Sequence, residues 1–338
     1  MQLSYQPFNL QLKYPFTIAK FSRTYTPLML VQVHHLGFTG YGEASMVPYM
    51  GESHESATSF LQKVQLQQFG YPFNFEEILS YLDSLATGQP AIKAAIDIAL
   101  HDLSGKISGQ ACYQMFGADP QKMPETTCTI GIDEIPIVRK KVEEALAAGF
   151  RLLKVKLGRD SDKILINTVR EMCDLPLFVD ANQGWSNKEE ALETLHWLHA
   201  QGVLLVEQPL DKNDTDGHAW LIESSPVPII ADEAVQRLAD IDSIKHAYHG
   251  INIKLMKSAG MHEAFNMIKK ARQCGLKILI GCMSETSIAT LAAATLAPLC
   301  DWADLDGPFL SSNNPYQTPG FKNGRYVLSP APGLGLQF

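Results

Sequence analysis

The chain is 338 residues long, 46% hydrophobic and 19% charged, with 28 basic against 36 acidic residues and a net charge of −8. That length suits two domains or one large barrel with additions, and no run of 18 apolar residues is present to form a membrane-spanning helix. The acidic balance counts against nucleic acid, whose phosphates are met by an excess of Lys and Arg, although locally focused positive charge could still serve a small anion.

Residues 1–50 read as strands: Leu28 to Val33 is a mostly apolar run, and Gly37 and Gly40 mark turns. Met1 to Lys20 mixes Gln, Lys and Pro with apolar residues and offers no signal-peptide core. Residues 52–115 look helical, most clearly where Ile92, Ala95, Ile96, Ala99 and Leu103 recur at helical spacing. Strands followed by helices suggest an α+β module. The six cysteines include no pair closer than eight residues, which excludes CxxC metal knuckles; they read as free thiols of a reducing cytoplasm.

From Thr126 short apolar runs alternate with helical stretches: Thr126–Ile132, Arg151–Gly158, Leu177–Asn182, Leu204–Leu210, Val227–Ala234, Ile251–Met256, Lys277–Met283 and Ala303–Gly307. Eight such runs predict βα units around a parallel sheet. Lys156, Asp180, Glu207, Asp232 and Lys254, each at the end of its run, are spaced 24, 27, 25 and 22 residues apart. That interval fits a barrel, whose active site forms at the carboxyl ends of the strands. An open doubly wound sheet is the alternative, but no GxGxxG or GxxxxGK[ST] pattern follows a strand to support its nucleotide-binding form. The Pro- and Gly-rich tail, Ser311–Phe338, cannot be a further βα unit and is expected to pack on the N-terminal module.

Asp180, Glu207 and Asp232, ending three consecutive strands, would project toward one point. Uncompensated they would repel, so a divalent cation is expected; oxygen-only ligands favour Mg²⁺ or Mn²⁺ over Zn²⁺. Lys154 and Lys156 share a strand face, and Lys254 stands four strands on, across the barrel mouth. Neighbouring ammonium groups and burial should lower the pKa of the Lys154–Lys156 pair, fitting a lysine for general-base work. Lys257, beside Ser258 and Gly260, is expected on a loop without a role.

The motifs Lys154-Val-Lys156, Val-Asp180-Ala-Asn182, Val-Glu207-Gln-Pro209, Ala-Asp232-Glu-Ala, Asn252-Ile-Lys254-Leu and Gly281-Cys-Met-Ser-Glu285 together resemble those of the enolase superfamily, muconate-lactonizing-enzyme subgroup. The resemblance implies an α/β fold, a modified TIM barrel (β/α)7β over residues 121–311. An α+β capping domain would span 1–120 and be completed by 312–338. It also implies one Mg²⁺ per subunit (with Mn²⁺ as a substitute) on Asp180, Glu207 and Asp232, and Lys156 and Lys254 as the acid/base pair, assisted by Lys154. Asn182 would lie just outside the ligand set. The seventh strand end, Gly281-Cys282-Met283, lacks the histidine of the sugar-acid dehydratases.

Asp304-Leu-Asp306 resembles the signature with which the superfamily's dipeptide epimerases bind a substrate ammonium, most closely the L-Ala-D/L-Glu type. The implied reaction inverts the α-carbon of the C-terminal residue through an enediolate. Substrates would be Ala-Glu, of cell-wall peptide origin, or an apolar dipeptide. Cys282 and Met283 would join Lys154, Asp304 and Asp306 in lining the substrate site. Side-chain choice should lie in loops at Phe16–Thr26 and Val47–His54, where Arg23 or Lys20 suits an acidic side chain and Phe21 an apolar one. Barrels of this family often form homo-oligomers. A muconate cycloisomerase or o-succinylbenzoate synthase is the alternative within the superfamily; a Schiff-base lysine aldolase or a non-catalytic binding protein is the alternative outside it.

Overall fold

The computed structural model describes residues 1–19 and 21–338; Lys20 lies outside them. The chain opens with an antiparallel sheet of β1 (Gln2–Thr17), β2 (Ser22–His35) and β3 (Phe38–Ser45), in that order. The stretch expected as a loop at Phe16–Thr26 is instead the tip of the β1–β2 hairpin, since Phe16 pairs with Arg23 and Thr17 with Ser22. A two-residue turn joins β2 to β3, with Leu36 and Gly37 both at positive φ (50° and 80°), the twist such hairpins favour. The helix Pro90–Ser108 lies flat on β3. Gly40 and Gly42 make this approach feasible, because a Cβ there would fall 1.9 Å from Ala99 O and 1.8 Å from Ala95 O. Ile92, Ala95, Ile96, Ala99 and Leu103, the residues of the helical pattern, are all fully buried.

Eight parallel strands follow: β4 (Cys128–Ile130), β5 (Leu153–Lys156), β6 (Leu177–Asp180), β7 (Val203–Glu207), β8 (Ile229–Ala231), β9 (Gly250–Lys254), β10 (Lys277–Gly281) and β11 (Trp302–Asp304). Each pairs with its neighbours in chain order, and a parallel bridge from Thr126 to Ala303 brings the two edges together. Helices follow the first seven strands. After β11 comes only the short turn Gly307–Leu310, so the architecture is a modified (β/α)7β barrel. Among the described residues no helix is long and apolar enough to cross a membrane, and all six cysteines are free.

Side-chain alternation along the strands positions the site. Leu152, Phe178, Leu205, Ile230 and Leu279 form an apolar plug inside the barrel, separate from the larger core between strands and helices. Two residues beyond four of these plug positions, on the same inward face, stand Lys154, Asp180, Glu207 and Asp232. The ionisable layer therefore sits directly on a dry floor. Hydrogen bonding keeps β5, β6 and β7 in step, pairing Lys156 with Asp180 and Asp180 with Glu207.

The C-terminal tail contacts the N-terminal sheet and the helix Pro90–Ser108. Ser312 N donates to Gln11 O, Leu334 N donates to Asp102 Oδ1, and the Phe338 ring meets Tyr41 edge-on at 5.0 Å. Across the seam between cap and barrel, Arg237 bridges Asp83 and Glu263, and Asp97 accepts from the first backbone N–H groups of the helix Met261–Gln273.

Candidate active site

Asp180, Glu207 and Asp232 are fully buried or nearly so, and each offers an oxygen within 4.8 Å of the others'. Lysines neutralise them. Lys154 Nζ lies 2.7 Å from Glu207 Oε1, 3.2 Å from Asp180 Oδ2 and 2.7 Å from Asp304 Oδ2. Lys156 Nζ donates to Asp180 Oδ2 at 2.6 Å, and Lys254 Nζ to Asp232 Oδ2 at 2.7 Å. The Lys154–Glu207 contact is an ion pair without hydrogen-bond alignment, so among the described residues Glu207 Oε1 is a buried acceptor with no donor. Three converging carboxylates, one with an orphaned oxygen, suit a hard cation that takes oxygen ligands.

The electrostatics overturn one expectation. Lys154, expected to be lowered, is not; burial would lower it, but the carboxylates around it raise it well above the usual lysine value, and Lys254 is raised in the same way. Lys154 faces Asp304, Glu207 and Asp180 at once, and this attraction outweighs burial and the neighbouring ammonium. Burial works upward on the acids, yet Lys254 and Lys257 hold Asp232 well below the usual carboxylate range, and Lys156 and Lys154 hold Asp180 down. Burial prevails at Glu207, which is pushed up to about 7. Asp306 rises to about 6, through burial and then the Asp304 charge beside it.

Above this layer is a cavity of about 490 Å³. Lys154, Lys156, Lys254, Asp304, Asp306, Cys282, Met283, Phe21 and Arg23 all line it, joined by Phe16, Tyr49, Thr129, Asn182 and Ser284. Lys156 on β5 and Lys254 on β9 stand four strands apart in the eight-stranded barrel, on opposite walls. Asp304 is committed: Thr127 donates to Oδ1 and Lys154 to Oδ2. At Asp306, Thr129 N donates to Oδ2 at 2.6 Å, whereas Oδ1 meets the weak Cys282 thiol at 3.8 Å. Asp306 is thus the carboxylate freer to meet a cation entering the cavity.

The hairpin tip and the Val47–His54 segment roof the cavity. Phe21 packs on Tyr49 at 5.5 Å, and the Tyr49 hydroxyl donates to Met283 Sδ. The Arg23 guanidinium is flanked by the Phe16 and Phe21 rings at 5.2 and 5.7 Å, and Nη2 donates to Ser284 Oγ at 2.8 Å. Its Nε and Nη1 are shielded from solvent and have no acceptor among the described residues.

A second cavity, larger and mostly apolar at about 640 Å³, lies between β1 and the helix Ile135–Ala147 and meets the first at Phe16, Thr129 and Leu310. None of the lysines or carboxylates just described lines it; Lys154, Lys156, Lys254, Asp304 and Asp306 all line the smaller one.

Two supporting residues escape a reading of strand ends. Asn252, inward on β9 two residues before Lys254, donates to Glu207 Oε2 at 2.8 Å, and the missing side chain of Gly281 makes room for it. The period of two could have marked it. Lys257, expected on a loop without a role, is buried and donates to Asp232 Oδ1 at 2.7 Å. Nothing in its local sequence signals this.

Comparison with known proteins agrees with this geometry. Residues 4–117 match the family described as mandelate racemase / muconate lactonizing enzyme, N-terminal domain, and residues 138–338 match enolase C-terminal domain-like. The chain is 49% identical over 336 residues, 99% of its length and 88% of the relative's, to the L-Ala-D/L-Glu epimerase of Bacteroides thetaiotaomicron. The substrate-liganded L-Ala-D/L-Glu epimerase from Bacillus subtilis superposes with a TM-score of 0.92 at 28% identity, covering 99% of this chain and 98% of the other. The dipeptide epimerase of Enterococcus faecalis V583, complexed with Mg and L-Leu-L-Tyr, gives 0.91 at 32% identity, covering 100% and 99%.

Proposed function

The chain belongs to the mandelate racemase / muconate lactonizing enzyme family of the enolase superfamily, and from that premise we propose that it is a Mg²⁺-dependent dipeptide epimerase. It inverts the α-carbon of the C-terminal residue of an L-Ala-Glu-type dipeptide by 1,1-proton transfer. The observation that carries the reaction is the pair of lysines, Lys156 and Lys254, on opposite walls of one cavity above a carboxylate trio.

Asp180, Glu207 and Asp232 would hold the metal. When bound, it supplies a Lewis acid at the substrate carboxylate, favouring the negative charge that develops as the α-proton leaves. Lys156 and Lys254 face the two sides of the α-carbon; one takes the proton and the other returns one to the opposite face. Lys154, held between Glu207 and Asp304, adds fixed positive charge beside the carboxylate. Asp306 receives the substrate ammonium, with Asp304 behind it. A free amino terminus suits this end of the cavity better than the dianion of a cycloisomerase would.

Arg23 favours an acidic C-terminal side chain, because its guanidinium lines the cavity and keeps two N–H groups without an acceptor among the described residues. A guanidinium with unmet N–H groups is suited to a carboxylate. The working compartment is the cytoplasm and the partner a small peptide. Incubation with Mg²⁺ and L-Ala-L-Glu in D₂O tests the reading by mass spectrometry and chiral chromatography. One deuterium should enter the glutamate α-position as L-Ala-D-Glu appears; absence of α-deuterium from this and every other L,L-dipeptide would overturn it.

A further inference from the structure

Each carboxylate of the trio has one oxygen tied away from the lysines that line the cavity. Asp180 Oδ1 accepts from Asn182 N at 2.9 Å, Glu207 Oε2 from Asn252 Nδ2 at 2.8 Å, and Asp232 Oδ1 from Lys257 Nζ at 2.7 Å. The opposite oxygens, Asp180 Oδ2, Glu207 Oε1 and Asp232 Oδ2, are the ones that meet Lys154, Lys156 and Lys254. The third outward tie differs from the others because its donor is a cation.

Lys257 does not line the cavity and is not placed to exchange a proton with substrate. Its ammonium is enclosed by four acceptors: Asp232 O at 2.6 Å, Asp232 Oδ1 at 2.7 Å, Val235 O at 2.9 Å and Asn252 O at 3.0 Å. An ammonium has three N–H groups, so none is left over. These bonds tie the end of β8 to β9, and through the Asn252 backbone they reach the residue whose amide holds Glu207. Two of the three outward ties therefore meet at Lys257. Burying an ammonium is costly unless it is paired and fully bonded, and here both conditions are met away from the reacting centre.

We propose that Lys257 is a positioning residue that limits Asp232 to one free oxygen and thereby sets the site's preference for Mg²⁺ over Ca²⁺. Mg²⁺ demands a near-ideal octahedron, which three single-oxygen carboxylates fill by half, leaving positions for substrate and water; Ca²⁺ takes more oxygens and accepts carboxylates through both. A cation on Asp232 Oδ1 opposes that second mode by charge as well as by geometry. The inference rests on Asp180, Glu207 and Asp232 being the Mg²⁺ site.

Calorimetric titration of the wild type, Lys257→Met and Lys257→Gln with Mg²⁺ and with Ca²⁺, in the absence of dipeptide, tests it. In Lys257→Met the Mg²⁺-to-Ca²⁺ affinity ratio should fall by about tenfold or more, the scale on which residues behind metal ligands act. Lys257→Gln, whose amide can still donate to Asp232 Oδ1, should restore part of that ratio. An unchanged ratio in Lys257→Met overturns the proposal. Should the variants not fold, a crystal structure of wild-type protein with Mg²⁺ decides. One Asp232 oxygen on the metal and the other on Lys257 supports the proposal; both oxygens on the metal, or Lys257 turned away, refutes it. Wild-type protein that binds neither ion overturns the metal assignment and this inference together.

Discussion

Replacing Arg23 by Met should separate two properties that usually fall together, substrate recognition and fold stability. Nε and Nη1 are sequestered without acceptors among the described residues, while Nη2 donates to Ser284 Oγ and the guanidinium is flanked by two aromatic rings. Relieving two buried, unmatched donors returns about 1–3 kcal/mol each. Losing the Ser284 bond, made by a charged donor, costs about 1.5–3 kcal/mol, and losing the ring contacts about 0.5–2 kcal/mol. These terms largely offset one another, so unfolding free energy should change by less than about 1 kcal/mol. Met also retains most of the apolar volume between the rings.

Recognition should behave differently. A glutamate side chain meeting both free donors would gain hydrogen bonds to a charged group, about 1.5–3 kcal/mol each before the cost of desolvating the carboxylate. Allowing for that cost leaves about 3–4 kcal/mol, a loss of some 10²–10³ in kcat/KM for L-Ala-L-Glu. L-Ala-L-Met, which has no use for the guanidinium, should be turned over by the variant at least as well as by the wild type. The assay is epimerisation of both dipeptides followed by chiral chromatography, with urea denaturation of the unliganded protein beside it. A parallel fall for both substrates would mean that Arg23 only shapes the roof. No fall for either would mean that the acidic side chain is read elsewhere, and either result refutes the assignment.

With one of the opposed lysines removed, Lys156→Ala and Lys254→Ala should each abolish epimerisation. Each should still wash deuterium from D₂O into only one configuration of the α-carbon, and the two variants should select opposite ones; exchange from both configurations in either variant refutes a two-base scheme. Asp306 lies near pKa 6, so a substrate ammonium should bind better as pH rises through that value. KM for L-Ala-L-Glu should therefore fall between pH 5 and 7, and Asp306→Asn should raise KM and flatten the profile, as steady-state kinetics across that range would show. Beneath the roof, Glu43 accepts from Thr286 N and Oγ1, and Glu285 accepts from Met283 N. Burial first, with Glu43 adding its charge to the effect on Glu285, lifts them to about 7 and about 8. Between the ordinary carboxylate value and those figures the folded chain binds more protons than the unfolded one, so stability falls as pH rises. Glu43→Gln should therefore gain up to about 3 kcal/mol at pH 8 and little at pH 4; equal effects at both pH values in urea denaturation would contradict this. Chelation with EDTA should stop epimerisation and Mg²⁺ restore it, whereas activity that survives chelation would point back to Schiff-base chemistry.

The inner layer of the barrel could be read from the chain because it obeys a local rule. Residues two apart on a strand share a face, so Phe178 and Asp180, Leu205 and Glu207, or Ile230 and Asp232 announce a dry plug with an ionisable layer above it. The same rule placed Lys154 with Lys156 and Asp304 with Asp306. Arg23 obeys no such rule. Its partner Ser284 is 261 residues away, and its two unmatched donors become visible only once the hairpin tip has folded over the barrel mouth. Lys257 is the sharper case, because a lysine in a turn beside Ser and Gly is ordinarily solvated, and only closure of the barrel surrounds it with acceptors.

The pKa directions of Lys154 and its neighbours show why local reasoning can bring residues together and still give the wrong sign. Two ammonium groups on one strand repel, and that much is contained in four residues of sequence. Whether repulsion governs depends on the opposing charge brought by other strands, and Lys154 receives Asp180, Glu207 and Asp304 from β6, β7 and β11. Three carboxylates at 2.7–3.2 Å outweigh one neighbouring ammonium. A proton-accepting lysine therefore cannot owe its basicity to the Lys154–Lys156 pair alone; the carboxylates that now hold it charged must be engaged elsewhere. A cation bound by Asp180, Glu207 and Asp232 would do this at Lys254, whose close carboxylate partner, Asp232, belongs to that trio. Lys154 would keep Asp304, which lies outside the trio, and so stays the charged neighbour rather than a base. The contrast between Lys154 and Lys254 thus follows from whether each one's carboxylate partners belong to the trio.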